Sequence, residues 1–261
     1  MITPLSSRTI LALSASLVIA ATIGFVIYQK VHVAPPPFDA DAKKILNELG
    51  HARVYTAHVN TSAMFTDRVL QIDGMYLVDE PQKKYMTMST TTMTVRGVRN
   101  QPHAFTLKNI SIGDDVYSKI ETTSSIFKQT IPASPLWRHF KKNSVPSQFA
   151  DIAVVGPILD NVLIFSVSGR YLVFVNKKEE VILNRTLMHY TFTLSHNSAK
   201  NRGGTLEALL ERIGKEGMVD VWIDHEKEQV PFFRFSNATY TSTTTLLDVN
   251  TPLSIEPPIS F

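Results

Sequence analysis

Eight histidines and 23 acidic residues are the side chains with which this chain could bind a metal or move protons, so their spacing is read first. The histidines match no metal-ligand pattern. There is no HExxH, and His51 and His58 lie on either side of a change from helical to strand-like sequence. They read as isolated surface or strand histidines. "DHEKE", Asp224 to Glu228, contains the makings of an acid/base pair or a cation site, but it separates two apolar strand-like runs, where short polar residues form a solvated turn. "FSVSGRY" sets Ser166 and Ser168 before Gly169 without the first glycine of a GxSxG nucleophile elbow, and neither a P-loop nor GxGxxG occurs. The lack of any cysteine excludes disulfides, thiolate metal sites, a cysteine nucleophile and attachment through a lipidated cysteine. No catalytic residue, metal or cofactor is expected. The sequons at Asn60, Asn109, Asn184 and Asn237 are read as chance occurrences in a Thr-rich chain.

Without chemistry in view, the question becomes what the chain builds. Its 261 residues are 44% hydrophobic and 19% charged, enough for a domain with a real core. The net charge of +3 owes two of its 26 basic residues to Arg8 and Lys30, which flank an apolar run, and the remainder is nearly balanced at 24 against 23 acids. With no basic patch carrying interleaved aromatics, nucleic acid is not an expected partner. Thr9 to Tyr28, "TILALSASLVIAATIGFVIY", is uncharged and as long as the roughly 20 residues that cross a bilayer as a helix. It exceeds the usual apolar region of a signal peptide, so an uncleaved single-pass anchor is expected, with a removed signal as the alternative. Residues 1–8 form a short tail, and the chain beyond residue 28 is exported on either reading. The slight positive bias puts the N-terminus in the cytoplasm and the rest outside the membrane. Pro35 to Pro37 favour an extended spacer within a linker at 29–37, and the exterior domain covers 38–261.

That domain opens on "FDADAKKILNELGHA", an amphipathic helix over 41–49 with Ala42, Ile45, Leu46 and Leu49 on one face. From Arg53 to Ile120, alternating Thr-rich runs read as antiparallel hairpins divided at Asp73-Gly74, Glu80-Pro81, Asn100 to Pro102 and Gly113-Asp114. The proline-broken segment from Ile126 to Val162 reads as short helices and loops, with a helix at 146–162. A hairpin turning at Asn176 to Glu179 follows, then a helix at 205–214. The hairpin "VDVWIDHEKEQVPFFRF", residues 219–235, leads into the last strand and a proline-rich tail.

The hairpin 219–235 commits a Trp and three Phe residues around a polar turn, so its sheet must cover something apolar. If the strands form one curved sheet with the helices on one side, Phe174, Met188, Tyr190, Phe192, Phe233 and Phe235 face inward, joined by Val221 and Ile223. These eight are the candidate ligand-binding residues. They fit an ordinary helix-on-sheet core, and they equally fit an incompletely filled core that admits a hydrophobic ligand.

The order helix, antiparallel strands, helical insertion, strands, helix, final hairpin over residues 38–258 resembles the LolA/LppX-like group of bacterial periplasmic and cell-envelope proteins. The segments that carry the resemblance are "IGDDVYSKI" (112–120) followed by Trp137, "MHYTFTLS" (188–195), and "VDVWIDHEKEQVPFFRFSNATYT" running into "LLDVNTPLSIEPP". It implies an α+β fold, a curved antiparallel β-sheet (half-barrel) with helices packed on its concave side, here preceded by one N-terminal transmembrane helix. Several members bind lipids or lipid-modified proteins between sheet and helices, so the hairpin's aromatics would line or close the inner face. Many members are held by an N-terminal cysteine, which this chain lacks; a fixed anchor favours local capture, hand-over or sensing over free shuttling. The expected function is a non-catalytic, membrane-anchored extracytoplasmic domain that binds an amphipathic lipid or lipidated partner. The alternative is a structural or sensory envelope module that binds a protein or polymer through its surface.

Overall fold

A computed structural model of the protein describes residues 38–95, 102–122, 124, 134–144, 165, 172–194 and 217–259. The segments at 9–28 and 29–37 and the helices expected at 146–162 and 205–214 lie outside these residues. The chain divides after Pro37, and the unit that follows runs from Phe38 to Phe261. Among the described residues, no helix is long and apolar enough to cross a membrane.

Helix α1 (Ala40–Gly50) buries Ala42, Ile45, Leu46 and Leu49, the stripe expected from its 3.6-residue period. After it come β1 (Val54–Met64), β2 (Arg68–Asp79), β3 (Lys84–Val95), β4 (Pro102–Ile112), β5 (Asp115–Thr122) and β6 (Ser134–Lys141). A second series holds β7 (Leu172–Ile182), β8 (Arg185–Leu194), β9 (Met218–Asp224), β10 (Gln229–Ser236) and β11 (Tyr240–Val249). All eleven form one curved, open antiparallel sheet in the order β6-β5-β4-β3-β2-β1-β11-β10-β9-β8-β7, a half-barrel whose edges are β6 and β7. Two meanders meet where β1 pairs with β11. The described part is mostly sheet, with α1 as its one α-helix.

Three sequence expectations are corrected here. Asp73-Gly74 is no turn: both residues lie inside β2, opposite Thr90 and Ser89 of β3. The glycine serves close packing, since a Cβ on Gly74 would sit 2.8 Å from Ser89 Cβ and 3.0 Å from Tyr76 Cε2. The β7–β8 turn is not at Asn176 to Glu179. Those residues continue β7 past a bulge between Phe174 and Asn176, and the chain reverses at Leu183-Asn184, both with positive φ (51° and 59°), as a two-residue type I′ turn requires. Finally, part of the segment read as helices and loops is the strand β6, followed by a single 3-10 turn at Lys142–Ser144. Pro135 is compatible with a strand there because β6 is an edge and Pro135 is its second residue. Phe140 packs β6 against the small cluster of Leu107 and Ile120.

The two faces of β8–β10 are chemically distinct. Tyr190, Phe192, Val219, Val221, Ile223, Phe233 and Phe235 face one way into a continuous buried cluster with α1. On the other face, Trp222 stacks on His189 at 4.2 Å and against Phe232 at 4.7 Å, with the Arg234 guanidinium 5.4 Å from its ring. Half of the final hairpin's large aromatics therefore point away from the inner face. Residue alternation decides this: Trp222 and Phe232 are cross-strand partners, and so are Val221 and Phe233.

Asp220, 2% exposed, ties that outer face together. Arg234 donates to it at 2.7 and 3.1 Å, the Thr191 hydroxyl at 3.0 Å, and His189 Nε2 lies at 2.9 Å. Burial raises its pKa, but the bonds from Arg234, His189 and Thr191 outweigh burial and hold the carboxyl below its ordinary range. Glu180 accepts from Lys178 at 2.5 Å and from the Trp222 indole at 2.7 Å, with His189 Nδ1 at 3.3 Å; these bonds, Lys178 first, bring it down to about 2.

Two outcomes follow from this packing. Gly74→Ala should destabilise the protein by ~1–3 kcal/mol in urea denaturation through overpacking against Ser89, and adding Ser89→Gly should restore part of the loss. A carboxyl whose folded pKa is lowered stabilises the fold above its unfolded value near pH 4 and loses that contribution as pH falls through the folded value. Asp220→Asn should therefore cost ~1–3 kcal/mol at pH 7 and make stability fall less steeply from pH 4 to pH 2 than in the native protein.

Candidate functional site

The inner face of β7–β10 gathers all eight candidate ligand-binding residues into one apolar surface. Tyr190, Phe192, Val221, Ile223, Phe233 and Phe235 are fully buried, and Phe174 and Met188 pack on them half-buried. Phe165 closes over Phe233 edge to face at 5.0 Å and lies 6.5 Å from Phe235. The structure thus brings the predicted set together, at the centre of the core.

The start of the domain is fastened to this surface. The Phe38 ring lies 5.5 Å from Phe174, 5.7 Å from Tyr190 and 5.3 Å from Phe192, the last two in edge-to-face contact. Asp39 stands at the N-cap of α1 but makes no capping bond. Its carboxylate instead accepts from Lys177 Nζ at 2.8 and 3.0 Å and from the Tyr190 hydroxyl at 2.7 Å. Those bonds, with Lys177 foremost, hold Asp39 below the usual carboxylate range. Tyr190 is pushed up, first by burial and then by its bond to Asp39, and its hydroxyl lies 3.0 Å from His225 Nε2. The sequence marks Phe38 only as the start of the domain; an aromatic immediately after three prolines is the signal of this anchoring.

A cleft of about 350 Å³ opens beside the same core, between α1, the β9–β10 turn and the end of β11. Ile45, Leu49, Val230 and Leu246 form its floor and belong to the buried cluster as well. Glu48, Arg185, Lys227, Glu228 and Asn250 also line it, and so does Leu247, which is 53% exposed. Leu247 lies where the β1–β11 register shifts, with Thr56 opposite Asp248 and Ala57 opposite Leu246, an arrangement that sequence alternation does not reveal. None of the eight predicted residues lines this cleft. The expected solvated turn at "DHEKE" is present, with His225 to Glu228 exposed and Asp224 buried, accepting from the Lys227 N–H at 3.1 Å. Among the described residues, no three His, Asp or Glu side chains are grouped to hold a metal.

No family model matches the chain, and no curated protein matches it by sequence. Solved structures do. LprF from Mycobacterium bovis aligns over 84% of this chain and 98% of its own, at 14% identity and a TM-score of 0.51. The lipoprotein LppX from Mycobacterium tuberculosis aligns over 83% and 97%, at 14% identity and a TM-score of 0.37. A putative outer membrane lipoprotein-sorting protein domain from Vibrio parahaemolyticus covers 81% and 93%, at 12% identity and 0.23. The superposition on LprF carries the assignment at the level of architecture, and with the eleven-stranded open sheet and its packed helix it gives this chain a LolA/LppX-like fold.

Proposed function

We propose that the protein is a membrane-anchored extracytoplasmic domain that binds an amphipathic lipid or a lipidated partner, without catalysis, and that residues 9–28 are the anchor. The observation that supports this most directly is the cleft under α1. Its floor of Ile45, Leu49, Val230 and Leu246 is continuous with the aromatic core, while Glu48, Arg185, Lys227 and Glu228 supply two acids and two bases around it. A mostly polar lining over a buried apolar floor suits a molecule that has one polar and one greasy part. The cleft volume of about 350 Å³ lies within the usual range of small-molecule sites, roughly 300–1,000 Å³. The LolA/LppX-like fold fits the same reading, since the group is known for ligands held between sheet and helices.

A second reading has its own support. Phe38 and Phe165 already pack ring to ring onto Tyr190, Phe192 and Phe233, which favours a filled structural or sensory module that binds a protein or polymer through its surface. Charged substitutions at Tyr190 or Phe233 do not separate the two readings, because both side chains are wholly buried and such changes would disrupt the fold itself.

The separating experiment is mass spectrometry of an organic extract of the exported, purified protein, alongside an unrelated exported control. A specific lipid near one per chain is expected. Leu247→Trp, which fills the cleft from a half-exposed position, should lower its recovery several-fold while the β-type circular dichroism is unchanged. A folded protein that yields no enriched lipid, or a Leu247→Trp variant that retains its full complement, would transfer the assignment to the surface-binding module.

A further inference from the structure

The tip of the β7–β8 hairpin is apolar where physical chemistry asks for the opposite. Leu183 is 91% exposed and Val181, two residues earlier on the edge strand β7, is 72% exposed. Leu183 also has a φ of 51°, the left-handed region in which a side chain crowds its own backbone and which Asn, Asp and Gly fill at type I′ turns. The other described non-glycine residues with positive φ are Lys83, Asn184, Glu228 and Asn250, all polar. Leu183 alone combines an unfavourable backbone with a fully hydrated apolar side chain, so neither folding nor solubility accounts for it.

The surroundings narrow the occupant. Arg185 follows the turn directly and provides a cation next to the apolar tip, and the cleft beside this hairpin adds Lys227 together with the acids Glu48 and Glu228. The chain enters the domain on the same two strands, through Phe38 against Phe174 and Tyr190 and Asp39 against Lys177. Leu183 lies six residues beyond Lys177 along β7, or ~20 Å at ~3.3 Å per residue. Residues 29–37, with three consecutive prolines, reach ~28 Å if extended at ~3.1 Å per residue. On the anchor reading, the contour length of this linker exceeds the distance from Lys177 to the tip. The other exposed apolar turn, Met64-Phe65, lies at the opposite end of the sheet, and Arg68 sits over its Phe65 ring at 5.2 Å.

We propose that the β7–β8 tip, Val181 and Leu183 flanked by Arg185, inserts into the surface of the membrane that anchors the chain and thereby turns the α1 cleft toward the lipid. The inference rests on the anchor reading of residues 9–28. Tethering makes a small apolar contact sufficient, because a linked surface is always at high local concentration, and aliphatic side chains partition favourably into the headgroup and acyl boundary.

The absence of cysteine permits a clean test on the full chain. Leu183→Cys and Val181→Cys, labelled with an environment-sensitive fluorophore, are reconstituted in phosphatidylcholine and phosphatidylglycerol vesicles. Asp114→Cys, in another turn at the same end of the sheet, and Thr66→Cys, beside Phe65, serve as comparisons. The expected result is a several-fold rise in emission at 183 and 181, removed by nitroxide-labelled lipids, with water-like emission at 114 and 66. Flotation of the same samples after a carbonate wash reports the anchor separately. If the chain floats and the 183 label matches the 114 label, the tip proposal is overturned and the anchor stands. Emission that rises at 183 but is untouched by nitroxide lipids also overturns it, in favour of a protein surface or a second copy. If the washed chain does not float, the anchor reading fails and the proposal falls with it.

Discussion

Everything in this molecule hangs on the ladder between β1 and β11. Nine residue pairs, from Tyr55 with Val249 to Ala63 with Tyr240, join a meander of six strands to one of five across nearly the whole domain. Without it the chain would form two separate sheets, each with its apolar side unmatched. The seam also contributes to the core: Ala57, Val59 and Leu246 sit in the same cluster as Ile45, Leu46 and Leu49 of α1. The helix packs chiefly on β10, next to the joint, and the cleft lies between it, the β9–β10 turn and the end of β11. A hydroxyl pair, Thr61 and Ser242 at 2.9 Å, reinforces the ladder. Such pairing is non-local in sequence, so its loop-closure entropy must be met before the helix has a surface to pack on.

The two faces of the C-terminal meander explain why its last hairpin is so rich in aromatics. Phe233 and Phe235 fill the inside, whereas Trp222 and Phe232 form an outer layer with His189, Arg234, Asp220 and Glu180. The outer layer links β7 to β8, β9 and β10 through side chains. A buried carboxylate with three bonded partners tolerates little displacement of those strands, since each slip would leave it unpaired. The inner layer by contrast is held by shape and dispersion, which permit rings to exchange contacts at modest cost. A sheet clamped from outside and apolar within can keep its register even when its concave side changes occupant.

This division marks the limit of what was legible beforehand. The α1 stripe and the strand character of Arg53 to Ile120 follow from periodicity, whereas the convergence of Tyr190, Phe192, Val221, Ile223, Phe233 and Phe235 needs in addition the curved sheet that the resemblance implies; all of these agree with the structure. Alternation also separates Trp222 from Val221, but it does not state which set faces the core when both are apolar. Gly74 and Asn176 to Glu179 carry turn-like composition for other reasons: one admits close packing with Ser89, and the other is an edge-strand segment whose Lys177 and Lys178 bond to Asp39 and Glu180. The cleft was not legible at all, because it depends on a register shift at Leu247 and on where α1 crosses the sheet.

Phe38 connects these levels. The sequence marks it as the first residue of the domain, and its ring occupies the space between Phe174, Tyr190 and Phe192. Asp39 fixes it there through Tyr190 and Lys177, so the first two residues of the domain share one set of contacts with its core. On the proposed reading, a ligand has two routes to the aromatic surface: along the floor of the cleft past Ile45 and Leu246, which leaves Phe38 in place, or by displacing Phe38 and with it the start of α1. The second route would couple occupancy of the core to the path of the linker. The first requires no such coupling and agrees with a cleft that is already open, so the cleft is the better place for a ligand to enter and Phe38 the better candidate for a fixed wall.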